Sequence, residues 1–135
     1  MSTRTRFSRL CSQTTIFLSL TALLLLTGCD EMTVERVRSS IQGTWVGSYT
    51  PEHGPNSGVP RRLELRVFSN GQYHFLVQGL GGLEIAHAGR WIVQTTEGGS
   101  IELVCDHAPT DQFEVLSSQT LRLLYQGSAV EFKRQ

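Results

Sequence analysis

Arg61-Arg62-Leu63-Glu64-Leu65-Arg66-Val67-Phe68-Ser69-Asn70-Gly71-Gln72-Tyr73-His74-Phe75 alternates polar and apolar side chains on both sides of a Ser-Asn-Gly break. Period two puts Leu63, Leu65 and Val67 on one face of an extended chain and Arg62, Glu64 and Arg66 on the other. A two-residue Asn-Gly loop would pair Phe68 with Tyr73 and set Val67 beside His74, mixing the faces. A three-residue loop, Ser69 to Gly71, pairs Val67 with Tyr73 and Leu65 with Phe75 and keeps apolar against apolar. Such a loop is a type I turn followed by a left-handed residue, and Gly71 suits that position. A one-residue slip would turn every side chain to the wrong face, so the face pattern selects the longer loop. His74 is then expected at the solvent face near Arg66.

The same alternation recurs along the chain, broken by Gly, Asn, Ser and Pro at spacings of about 8–12 residues. Strands are expected at 43–50, 61–68, 72–78, 83–95, 100–105, 112–117, 120–126 and 128–133. Their inward positions are Trp45, Gly47, Tyr49, then Leu63, Leu65, Val67, then Tyr73, Phe75, Val77, then Trp91 and Val93. Further on they are Ile101, Leu103 and Cys105, Phe113 and Val115, Leu121, Leu123 and Tyr125, and Val130 with Phe132. Arg62, Glu64, Arg66, Glu102, Glu114, Arg122, Glu131 and Lys133 fall on the solvent face. One buried and one wet face predicts an all-β domain over residues 41–135, a small antiparallel up-and-down barrel of about eight strands. The inward aromatic rings nearly fill such an interior. A packed core with a shallow pocket at the mouth is therefore expected, in place of a large cavity.

Gly79-Leu80-Gly81-Gly82 is too glycine-rich to stay extended and is expected to be a mobile loop. Gly89 is expected to bend a long strand. Pro51 to Pro60, with three prolines and two glycines, is the longest irregular segment and suits a loop over the barrel mouth.

Upstream of the barrel the pattern changes. Arg4, Arg6 and Arg9 precede an apolar stretch from Ile16 to Leu26, which ends in Leu26-Thr27-Gly28-Cys29. A basic start, a short apolar segment and small residues have the layout of a secretory signal. About 11 apolar residues fall short of the roughly 20 that span a bilayer. Leu-Thr-Gly-Cys resembles a bacterial lipobox. That resemblance implies a signal peptide over 1–28, cleavage between Gly28 and Cys29, and acylation of Cys29. More than one acyl chain makes stable membrane attachment. Asp30 and Glu31 resemble the retention signal of inner-membrane lipoproteins, which implies the inner membrane ahead of the outer, with the protein facing the periplasm. Residues 29–40 read as the lipidated Cys and a polar tether, with one helical turn covering an end of the domain.

Without residues 1–28 the chain has nine basic and twelve acidic residues, a net charge of −3. That balance argues against a nucleic-acid partner. About 107 residues make one small domain. Cys11 falls in the leader and Cys29 carries lipid, so Cys105 has no partner for a disulfide and reads as a small buried hydrophobe. Cys105-Asp106-His107 is the one local cluster of metal-donor types, while His53, His74 and His87 are scattered. No cofactor is expected. No Gly-x-Ser-x-Gly, His-Glu-x-x-His or phosphate-binding Gly loop is present, and an enzyme is not expected.

Two further resemblances concern the domain. Gly43-Thr44-Trp45 is similar to the Gly-x-Trp of lipocalins, whose Trp packs across the closed end of the barrel beneath an Arg from near the last strand. Arg134 stands in the place of that Arg. The other lipocalin motifs are missing. Over residues 41–133, the order of features resembles the N-terminal domain of NlpE-like envelope lipoproteins. Those features are Trp-x-Gly-x-Tyr, a Pro-rich loop, Leu-x-Leu, Asn-Gly-x-Tyr, Gly-Arg-Trp and Leu-x-x-Leu-Tyr-x-Gly. That family carries a Cys-x-x-Cys after the first strand, where this chain has Pro51-Glu52-His53-Gly54-Pro55, so copper or disulfide sensing does not carry over. These readings lead to a membrane-anchored envelope lipoprotein that binds or senses a partner protein or a small apolar ligand. The alternatives are a structural accessory subunit of an envelope complex and a periplasmic metal-binding module.

Overall fold

The computed structural model describes residues 32–106 and 111–135; Gly28, Cys29, Asp30, Glu31 and the rest of the leader, and also His107, lie outside them. Each alternating segment forms a strand: β1 (Gly43–Tyr49), β2 (Arg61–Val67), β3 (Gln72–Gly79), β4 (Gly82–Thr95), β5 (Ile101–Asp106), β6 (Asp111–Ser117), β7 (Thr120–Tyr125) and β8 (Ser128–Arg134). Neighbours pair antiparallel in chain order, and β8 returns to β1 with Trp45 opposite Arg134 and Val46 opposite Lys133. The fold is an all-β, closed, eight-stranded up-and-down barrel. Closure removes the unpaired sheet edges that an open sheet would expose.

The β2–β3 hairpin has the three-residue loop. Val67 lies opposite Tyr73 and Leu65 opposite Phe75. Phe68 N donates to Gln72 O at 2.9 Å, and Gly71 sits at φ +84°, the left-handed conformation that favours glycine. His74 lies opposite Arg66, half-buried, with its ring edge-on to Phe68.

Inside, the odd-numbered side chains of the earlier strands meet the even-numbered Val130 and Phe132 of β8. Leu63, Leu65, Tyr73, Phe75, Leu103, Phe113, Leu121 and Phe132 are fully buried. At the centre, Phe113 and Phe132 stand 5.4 Å apart and Phe75 lies 6.2 Å from each. Burying such a ring contributes about 1.5–3 kcal/mol, and an aromatic pair adds about 0.5–1.5 kcal/mol beyond the area removed from water. An eight-stranded barrel has room for its own side chains or for one small ligand. Here the side chains take the centre.

Four expectations are corrected. The helical segment before the barrel is longer than the single turn expected, because Val34–Ser40 forms the seven-residue helix α1. Val34, Val37 and Ile41 recur at helical spacing and form an apolar stripe. Val37 and Ile41 are buried against the barrel, with Met32 and Val34 packed beside them. Thr33 caps the helix by accepting from Arg36 N. A seven-residue helix is marginal alone, so packing holds it.

The second correction concerns the glycine run. Gly79 pairs with Gly82 across a two-residue turn, so the segment is a tight hairpin and no loop interrupts the ladder. Third, Glu64 is on the outer face yet only 4 % exposed. Arg62 and Arg66 flank it two residues away on the same face and bond its two carboxylate oxygens at 3.1 and 2.6 Å. Fourth, alternation does not run unbroken through β4. Phe75 lies opposite His87 but Leu76 lies opposite Ile85, so Ala86 is an extra residue in a β-bulge. The bulge turns Ile85 and Leu83 to the outer face. Gly89 stands farther along β4, before the strand passes from β3 to β5.

A Cβ on Gly89 would lie 2.5 Å from the Asp106 carbonyl oxygen and 3.2 Å from the Tyr73 ring. Gly89→Ala is expected to force β4 from β5 and lower stability by about 1–3 kcal/mol, read as a lower urea midpoint. For Glu64, burial alone raises the pKa, but bonds and charge from Arg66 and then Arg62 outweigh it and hold the carboxyl below its usual range. A lowered folded value adds stability above the unfolded pKa of about 4.3 and loses it as pH falls through the folded value. Glu64→Gln is expected to cost about 1–2 kcal/mol at pH 7 and to flatten the acid side of the urea-midpoint profile. An unchanged acid side would overturn this account.

Candidate functional site

The chemistry-bearing side chains gather at the two ends of the barrel. The end that α1 covers is sealed from the inside by Trp45, which is fully buried and donates from Nε1 to Ile41 O at 2.9 Å. The Arg134 guanidinium lies over the Trp45 ring, 4.4 Å from its centroid. The same guanidinium donates to Ser118 O at 3.1 Å, to Gln42 O at 2.8 Å and to Ser40 O. These carbonyls come from the end of α1, the entry to β1 and the β6–β7 turn. A cation over Trp contributes about 0.5–2 kcal/mol, and the planar fork of arginine suits several carbonyls at once. Gly43 opens β1 two residues before Trp45, so the strand entry, the indole and the Arg134 guanidinium lie together at this end.

Beside this seal lies a recess of about 330 Å³. Its apolar walls are Met32, Val37, Ile41, Trp45, Val115 and Leu116, and Arg36 and Arg134 also line it. That volume is at the low end of small-molecule sites. At the far end, the Pro51–Pro60 loop leaves a smaller recess of about 180 Å³ among Tyr49, His53, Arg61 and Tyr125. The Tyr49 and Tyr125 rings meet edge-on at 5.1 Å, and Tyr49 Oη donates to Gln126 Oε1.

Of the donor cluster, the structure describes Cys105 and Asp106. Cys105 is fully buried in the core and unbridged, whereas Asp106 is exposed and accepts from Arg90 N. Burial, with the negative charges of Asp111 and Asp106, pushes the Cys105 thiol far above its usual value. A thiol so raised stays protonated at neutral pH and is a poor nucleophile and metal ligand. Among the described residues no group of three His, Cys, Asp or Glu side chains is arranged to hold a metal ion. Nearby, the Tyr73 hydroxyl is buried, and burial raises its pKa as well. His87 stacks on Phe75 and faces Asp111 at 3.3 Å.

The β3–β4 hairpin carries a feature that the alternation pattern concealed. Leu80 at its tip is fully exposed, Ile85 is 56 % exposed and Leu83 37 % exposed, all beyond the bulge at Ala86. Val59, 57 % exposed, lies across a shallow groove from Leu80. The β2–β3 turn shares a surface groove with α1, so the β3–β4 hairpin points to the opposite end of the barrel. The sequence signal available was Leu80 within a run of glycines, where a hydrophobe has nothing to pack against.

No family model, curated protein or solved structure matches the chain. Among the described residues, no helix is long and apolar enough to cross a membrane.

Arg134→Lys keeps the charge but not the fork. It is expected to lower stability by about 1–3 kcal/mol and to speed hydrogen exchange at the Ile41 amide, which donates to Val37 O at the end of α1. Wild-type exchange in the lysine variant would mean that Arg134 does not hold the helix in place.

Proposed function

We propose that this chain is a lipoprotein of the bacterial cell envelope, anchored through Cys29 and facing the periplasm, whose barrel docks a protein partner through the β3–β4 hairpin without catalysing a reaction. The observation that carries the docking surface is the outward turn of Leu83 and Ile85 at the bulge, on the hairpin whose tip holds the fully exposed Leu80. Exposed apolar groups clustered in this way favour contact with another protein. The filled barrel centre favours this reading over carriage of an apolar ligand inside. The Leu-Thr-Gly-Cys motif supports the anchor, Asp30 and Glu31 support the inner membrane, and the order of features over 41–133 supports kinship with NlpE-like lipoproteins. The chain enters the barrel at the α1 end, so an anchor at Cys29 leaves the hairpin facing away from the bilayer.

The test is cross-linking and purification of the acylated protein from membranes, with a Leu80→Asp, Ile85→Asp double variant beside it. A stoichiometric protein is expected with wild type and is expected to fall about tenfold or more with the variant, a loss of roughly 1.4 kcal/mol or more. The variant's urea stability should stay within about 0.5 kcal/mol. Equal recovery with both would sink the hairpin as the docking surface. A stoichiometric lipid or metabolite in place of protein would favour a carrier. Cys29→Ser is expected to move the protein out of the membrane fraction, and an uncut, unacylated wild-type mass would remove the anchor.

A further inference from the structure

We propose that the recess beside Trp45 takes up one acyl chain of the molecule's own lipidated Cys29, while the remaining acyl chains enter the bilayer. This rests on the acylation of Cys29 proposed above and adds a place for part of the lipid. The recess has hydrocarbon walls from Val37, Ile41, Val115 and Leu116, Met32 adds a pliable thioether, and the rest of its lining includes arginine and serine side chains. Met32 also fixes the approach. It lies three residues after Cys29, and extended chain spans at most about 3.6 Å per residue. The lipid therefore starts within roughly 11 Å of the Met32 backbone.

Size and tethering select the occupant. A group of water size fills about 30 Å³, close to the volume of a methylene, so 330 Å³ suits most of one acyl chain and not two. A ligand joined to its site by a few residues experiences an effective concentration of order millimolar. A free fatty acid reaching the recess from outside competes against that. One wall of the recess is α1, a seven-residue helix held by packing more than by its own length, so an acyl chain against it adds to the apolar contacts that seat it. The acyl chain would hold the α1 end of the barrel against the membrane surface.

The test feeds cells a fatty acid bearing a mid-chain diazirine, irradiates their membranes, and maps cross-linked peptides of the full-length protein by mass spectrometry. With Cys29 acylated, the expected result is an intramolecular cross-link to the segments containing Ile41 and Trp45 or Val115 and Leu116. Leu116→Trp, which puts bulk into the recess, is expected to lose the cross-link with the acyl mass on Cys29 unchanged. The wild-type map stands alone if that variant folds poorly. Acylated protein whose diazirine labels only bilayer lipid overturns the proposal. So does a Cys29→Ser protein that takes up added diazirine fatty acid at the same residues as strongly, since the recess would then serve free fatty acids. Wild-type protein with no acyl group on Cys29 overturns the anchor itself, and is told apart from those results by its intact mass.

Discussion

Arg134 braces the end of the barrel where α1, β1 and the β6–β7 turn come together. Its guanidinium lies on Trp45 and satisfies carbonyls from the end of α1, the entry to β1 and the β6–β7 turn. A helix end and a barrel end both leave backbone carbonyls without ladder partners, and one planar cation covers several of them. Strand pairing makes the seam between β8 and β1 and packing of Val37 and Ile41 seats the helix; Arg134 braces both and lines the recess beside Trp45. Without it the covered end would have exposed carbonyls above a buried indole.

Much of this architecture was legible because period two is a strong signal where one face is buried. The face argument found the Ser69–Gly71 loop, since the two-residue Asn-Gly loop would set Val67 against His74. It also placed Leu103, Phe113 and Phe132 inside. The pattern failed where one residue acts against its neighbours' period. Ala86 is an inserted position, and nothing in Leu83-Glu84-Ile85-Ala86-His87 marks it as one. Glu64 looked like any outward carboxylate, because burial there comes from the folding of two arginine side chains across it. Helix α1 was obscured by brevity. Val34, Val37 and Ile41 give three apolar positions, too few for periodicity to decide until the barrel end supplies the surface they cover.

The candidate site was less legible than the fold, for a related reason. Trp45 was readable as an inward residue because it stands in an alternating strand, whereas the carbonyls that Arg134 reaches lie far from it in sequence. The exposed hairpin depends on a bulge, and the recess depends on where α1 comes to rest, and neither is a property of local sequence. Cys105 shows the opposite case, in which its place in an alternating strand was enough. Burial among hydrocarbon, with the negative charges of Asp111 and Asp106 in range, holds its thiol protonated. The two ends of the barrel thus differ in kind: one joins the domain to its own N-terminal segment, and the other faces outward with apolar side chains.

The chain has two tryptophans, and both stand at the α1 end. Trp45 is fully enclosed there, while Trp91 donates from Nε1 to Phe68 O and lines the groove between α1 and the β2–β3 turn. Intrinsic fluorescence excited at the indoles therefore reports on the seating of the helix and is nearly silent about the distal hairpin. The protein comes with a built-in optical probe at one pole only.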